Sequence, residues 1–170
     1  MAETEIQKNL REKNAEYAST FTQGDLALPP AKKYLVLTCM DARIDPAAAL
    51  GIALGDAHVV RNAGGSARDG LRSILVSQQL LGTREVALVK HTGCGMLTFT
   101  GADARGLVAQ NLGPEAEAAV AGLDFLTFRD LEAEVRRDVE FLRTSPVVLE
   151  ETALSGWVYE VETGRVRRVV

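Results

Sequence analysis

Lys33-Tyr34-Leu35-Val36-Leu37-Thr38-Cys39-Met40-Asp41-Ala42-Arg43 is an almost unbroken apolar run that ends in a cysteine, an aspartate and an arginine. A short apolar run without polar alternation, entered from Pro29-Pro30, reads as a buried strand of the parallel type. Cys39 then stands at the carboxyl end of a strand. In open α/β sheets that is where ligands bind, at the point where the strand order reverses.

The flanking sequence supports this frame. Upstream, Ile6, Leu10, Tyr17 and Phe21 share one face at helical spacing among charged residues, which predicts an amphipathic helix ending near Gly24. Downstream, Pro46 can open a short helix to Leu50, and His58-Val59-Val60 reads as a second buried strand. Arg61-Asn62-Ala63-Gly64-Gly65 follows. The stripe Leu71, Ile74, Leu75, Gln78 and Leu81 predicts a crossover helix stopped by Gly82, and Glu85-Val86-Ala87-Leu88-Val89-Lys90 predicts a third strand that delivers His91 at its end. If the second strand lies outside the first, strands one and three are neighbours and Cys39 meets His91 at the switch point.

Residues 101–122 are alanine-rich and interrupted by Gly106, Gly113, Pro114 and Gly122, which predicts helical pieces. Phe128, Leu131, Val135, Val139 and Leu142 predict a late amphipathic helix before Pro146, and residues 154–161 and 165–169 a hairpin around Glu162-Thr163-Gly164. The predicted fold is therefore α/β, with a mostly parallel central sheet flanked by helices and a C-terminal strand hairpin. One domain over 1–170 is expected, with 1–24 as a helical arm.

Composition narrows the functional classes. The chain has 170 residues, is 46% hydrophobic and carries a net charge of −4, which is enough apolar material for a core and the wrong charge for a nucleic-acid binder. The cluster Arg165, Arg167 and Arg168 reads as a solvated edge strand. The acidic start Met1-Ala2-Glu3 lacks the features of a secretory signal, and no apolar run is long enough to span a bilayer, so a cytoplasmic protein with reduced thiols is expected.

The only two cysteines, Cys39 and Cys94, lie in Cys39-Met40-Asp41-Ala42-Arg43 and His91-Thr92-Gly93-Cys94. With Asp41 and His91 they make a donor set that suits Zn²⁺ in tetrahedral coordination with one position able to open. Taken singly, each residue has a plainer reading. The cysteines could be small buried hydrophobes or a redox couple, Asp41 with Arg43 a surface ion pair, and His91 a core histidine. Their joint placement at two strand ends favours the metal. His58 reads as a packed, hydrogen-bonded residue, and Gly64-Gly65 as a tight turn near the site.

These three segments, in this order, resemble the β-class carbonic anhydrases, as does the closing stretch Gly156-Trp157-Val158-Tyr159 to Thr163-Gly164. The resemblance covers most of the chain. It implies one Zn²⁺ per chain held by Cys39, His91 and Cys94, with Asp41 and Arg43 as a dyad in which Asp41 alternates between the metal and catalysis. It also implies a homodimer or higher homo-oligomer whose N-terminal helix crosses to the partner, acting on CO₂ and bicarbonate, with no nucleic-acid or membrane partner. The expected reaction is zinc-hydroxide attack on CO₂. Two thiolates offset the charge of the ion and weaken its pull on water, so an alkaline optimum is expected. Two alternatives remain open at this point: hydrolysis of carbon disulfide or carbonyl sulfide on the same scaffold, and a non-catalytic zinc or thiol redox module.

Overall fold

A computed structural model describes residues 2–170. Five strands, β1 (Tyr34–Cys39), β2 (Ala57–Asn62), β3 (Glu85–His91), β4 (Ala153–Glu160) and β5 (Arg165–Arg168), form one sheet in the order β2-β1-β3-β4-β5. The first four are parallel and β5 returns antiparallel to β4. β1 and β3 are neighbours in the register Leu35↔Val86 and Leu37↔Leu88, so Cys39 and His91 end adjacent strands on the same rim.

Side chains alternate along a strand, and on one face Leu35, Leu37, Val86 and Leu88 are fully buried beneath Ile74 of α3 (Ala67–Gln79) and Val139 and Leu142 of α6 (Leu131–Arg143). α6 packs on β3, β4 and α3. Its N-cap Asp130 accepts from the Ala133 N–H, satisfying one of the donors that a helix start leaves free. A second, smaller cluster of Cys39, Ile44, Cys94, Met96 and Phe128 lies at the carboxyl rim of the sheet.

Several details differ from expectation. β2 is an edge strand and Val59 is 40% exposed, so it is not buried on both faces as His58-Val59-Val60 implied. The late helix starts at Leu131, because capping by Asp130 excludes Phe128, which packs at the rim instead. The crossover helix starts earlier, at Ala67 behind the N-cap Ser66, and stops at Gln79, leaving Leu81 outside. Residues 101–122 resolve into α4 (Gly101–Leu112), started by a Thr100/Asp103 capping box, and α5 (Pro114–Val120). The hairpin and the solvated arginine edge are present as expected, β5 being exposed throughout. The first helix, α1 (Glu5–Thr20), buries none of its residues, with Ile6 74% and Leu10 65% exposed. α2 (Pro46–Leu50) is capped by Asp45 and closed by Gly51 in the left-handed conformation.

Candidate metal centre

β1 ends at Cys39 and β3 at His91, and the loop after β3 turns through Gly93, at φ 60°, to place Cys94 ahead of the 3₁₀ turn Gly95–Leu97. The result is a set of three donors. Cys39 Sγ, His91 Nε2 and Cys94 Sγ all lie within 4.8 Å of one another, and the two sulfurs are 4.0 Å apart. Two sulfurs on one tetrahedral zinc sit about 3.8 Å apart at the usual Zn–S length. All three residues are buried.

The imidazole is prepared for a ligand. Its Nδ1 donates to the carbonyl of Thr92 at 2.9 Å, which fixes the tautomer and leaves the Nε2 lone pair facing the sulfurs. Among the described residues, Nε2 is the one buried side-chain polar atom without a hydrogen-bond partner. A buried polar atom left alone is costly, and a metal ion between the three donors would satisfy it. With two soft thiolates and an imidazole, the residues present fit Zn²⁺.

Asp41 is beside this set but paired elsewhere. Arg43 donates to its two carboxylate oxygens from Nε at 2.9 Å and from a terminal guanidinium nitrogen at 2.7 Å, and the Arg43 backbone N–H adds a third bond at 2.9 Å. The Arg43 side chain first, and its backbone N–H second, hold the Asp41 carboxyl well below the usual carboxylate range. Arg43 is itself fastened to the Gly93 carbonyl at 2.9 Å. Asp41 Oδ2 stands 3.7 Å from His91 Nε2, so the carboxylate borders the space the three donors enclose.

The two thiols are unequal. Cys39 accepts a hydrogen bond from Cys94, and this first, with the backbone N–H groups of Asp41 and Gly64, overcomes burial and lowers its pKa well below the ordinary thiol value. Cys94 is pushed up, because it keeps the shared proton and because burial disfavours its charge. The backbone N–H of Met96 does pull Cys94 down, as a turn start should, but the shared proton outweighs it.

Other residues shape the rim. Arg61 donates to the carbonyls of Cys39 at 3.0 Å and Asp41 at 2.7 Å, pinning the loop that carries both. The Thr92 hydroxyl donates to Glu162 at 2.7 Å, tying the His91 loop to the β4–β5 turn. Arg61, Thr92 and Glu162 each stand in a stretch singled out in the sequence, but nothing in it pairs Thr92 with Glu162, 70 positions apart, or Arg61 with the carbonyls of Cys39 and Asp41, which carry no residue type. His58 is hydrogen-bonded to Ser77 at 2.7 Å on the far side of β1, in line with the structural role expected of it. A cleft of about 150 Å³ opens at the centre, lined by Cys39, Asp41, Ala63, Gly64, Cys94 and Met96 among others.

Residues 34–166 match the family described as carbonic anhydrase. Beta-carbonic anhydrase 1 of Mycobacterium tuberculosis is 40% identical over 157 residues, which cover 92% of this chain and 93% of that protein. The chain belongs to the β-carbonic anhydrase family. A solved carbonic anhydrase from Glaciozyma antarctica superposes with a TM-score of 0.90 at 46% identity, covering 94% of this chain and 95% of the other. Carbon disulfide hydrolase of an Acidianus strain is 35% identical over 174 residues, covering 90% of this chain and 83% of its own length. The parallel sheet with its closing hairpin and the Cys-His-Cys donor set are thus those of a β-carbonic anhydrase, a zinc enzyme family.

Proposed function

We propose that this enzyme interconverts CO₂ and bicarbonate at one Zn²⁺ per chain, with Cys39, His91 and Cys94 as ligands and Asp41 with Arg43 as the catalytic dyad. The observation that carries this reading is the buried Cys39–His91–Cys94 cluster with its unpartnered Nε2, bordered by a carboxylate already neutralised by an arginine. Zinc held there supplies a Lewis acid that lowers the pKa of water to near neutrality.

The chain's own residues do the rest. Because Arg43 keeps Asp41 ionised, the carboxylate is an acceptor throughout the physiological pH range and can take a hydrogen bond from the reacting water, aiming an oxygen lone pair into the cleft. Drawn toward Arg43, Asp41 leaves room for that water. Turned toward His91 Nε2, 3.7 Å away, it would take the same position itself. The Thr92 carbonyl keeps His91 in the ligating tautomer. Met96, Ala63 and Gly64 give the cleft an apolar wall suited to a small unhydrated molecule.

In this reading residues 1–170 are one domain working as a homodimer or larger homo-oligomer, with 1–24 an arm laid on a partner subunit. The exposed apolar stripe of α1, a helix none of whose residues is buried, supports that assembly. Cytoplasmic residence fits the two free cysteines. Among the described residues no helix is long and apolar enough to cross a membrane.

Stopped-flow CO₂ hydration by zinc-loaded protein is the test, with carbon disulfide hydrolysis measured in parallel. Fast hydration that is lost in His91→Ala supports the proposal. Turnover of carbon disulfide without CO₂ hydration would replace it, and neither activity in zinc-loaded protein would remove it.

A further inference from the structure

Lys90 immediately precedes His91 on β3, is only 2% exposed and takes no part in the steps above. Neighbouring strand residues face opposite sides of a sheet, so Lys90 points to the face opposite the His91 imidazole. Its Nζ donates to the carbonyls of Gly64 at 2.9 Å and Gly65 at 3.1 Å, and pairs with Asp138 of α6 at 2.8 Å. The same Asp138 oxygen accepts the Ala67 N–H at 3.0 Å. All three hydrogens of the ammonium therefore have acceptors. A buried ion pair contributes less to stability than apolar residues of the same volume would. In a strand that otherwise buries Val86, Leu88 and Val89, such a pair needs a reason beyond packing.

What it holds is the 3₁₀ turn Ala63–Gly65, where Gly64 and Gly65 adopt φ of 72° and 58°. That turn is wedged between the two cysteine loops. A Cβ on Gly65 would lie 3.0 Å from the Thr38 carbonyl carbon and 3.1 Å from the Cys39 nitrogen, and one on Gly64 would lie 2.9 Å from Cγ of Met96. We infer that Lys90 is a positioning residue for the metal centre: by bonding both carbonyls of the Gly64–Gly65 turn it fixes the wedge that sets the distance between Cys39 and Cys94. Gly65 lies against the Thr38–Cys39 backbone, so a shift of the turn reaches the Cys39 donor directly. The inference rests on the reading of Cys39, His91 and Cys94 as metal ligands.

The test compares zinc affinity, by chelator competition, and the thiolate-to-cobalt charge-transfer band of Co²⁺-substituted protein in wild type, Lys90→Met and Asp138→Asn. Lys90→Met should lose roughly 10- to 100-fold in zinc affinity and shift the band, as loss of an outer-layer support does, whereas Asp138→Asn, which keeps both carbonyl bonds, should stay within about threefold of wild type. Both should melt earlier, so a purely structural role would lower Tm in each and move affinity in neither. If Lys90→Met alone does not fold, the double variant Lys90→Met/Asp138→Asn, with neither charge of the pair left, should fold and show the same loss. A folded variant lacking Lys90 that keeps wild-type affinity and band overturns the inference, as does an equal loss in Asp138→Asn. Wild-type protein that binds no zinc overturns the metal centre itself, and this inference with it.

Discussion

Asp41 receives three hydrogen bonds from one residue, Arg43, and that residue is anchored to the Gly93 carbonyl next to Cys94. Arg43→Leu removes the two side-chain bonds and leaves the three metal donors intact. CO₂ hydration, measured as kcat/KM, should fall about 10- to 100-fold while zinc content is retained; unchanged turnover with zinc retained would remove Arg43 from the catalytic role. A second consequence concerns the metal-free protein. Folding lowers the Cys39 pKa from an ordinary 9.0, so Cys39 stabilises the metal-free fold fully above 9.0 and loses that contribution as pH falls through its depressed folded value. Ultraviolet thiolate absorbance of metal-free protein should accordingly persist on acidification well below the usual thiol range and disappear in Cys39→Ser. Cys39, Asp41, Arg43, His91 and Cys94 were legible in the sequence because their side chains announce their chemistry. The Thr92 carbonyl and the Lys90 ammonium were not, since one is backbone and the other was read only as the end of a strand.

At the scale of elements, the centre depends on how closely α6 lies on the sheet. Gly156 of β4 makes this approach possible: a Cβ there would collide with Val135 of α6 and with Val170. Gly156→Ala should cost about 1–3 kcal/mol in denaturant unfolding through overpacking, and an unchanged midpoint would mean that α6 has room to spare. The alternation of strands and helices, the neighbouring of β1 and β3 and the closing hairpin were readable from apolar runs and turn residues. The exposure of β2 was not, because an isolated apolar run of three residues looks alike at the edge and in the middle of a sheet. Phe128 was misplaced for a similar reason. Its spacing continued the α6 stripe, and only the cap at Asp130 shows that it leaves the helix to pack beside Met96.

For the whole molecule, the arm is the part that the chain alone does not explain. α1 has a well-formed Thr4/Gln7 capping box and an apolar stripe, yet buries nothing. A chain lacking residues 2–21 should fold with the same sheet and donor cluster but sediment as a smaller species than the full chain. If the truncated and full-length forms share one mass by light scattering, α1 is not an assembly arm. The account rests on two sulfurs and one imidazole sharing a metal, which zinc K-edge X-ray absorption of the purified protein tests most directly. One zinc per chain is expected, with two sulfur neighbours at about 2.3 Å and nitrogen or oxygen neighbours at about 2.0–2.2 Å. A protein without zinc, or a zinc with no sulfur neighbours, would contradict the metal centre and every step derived from it.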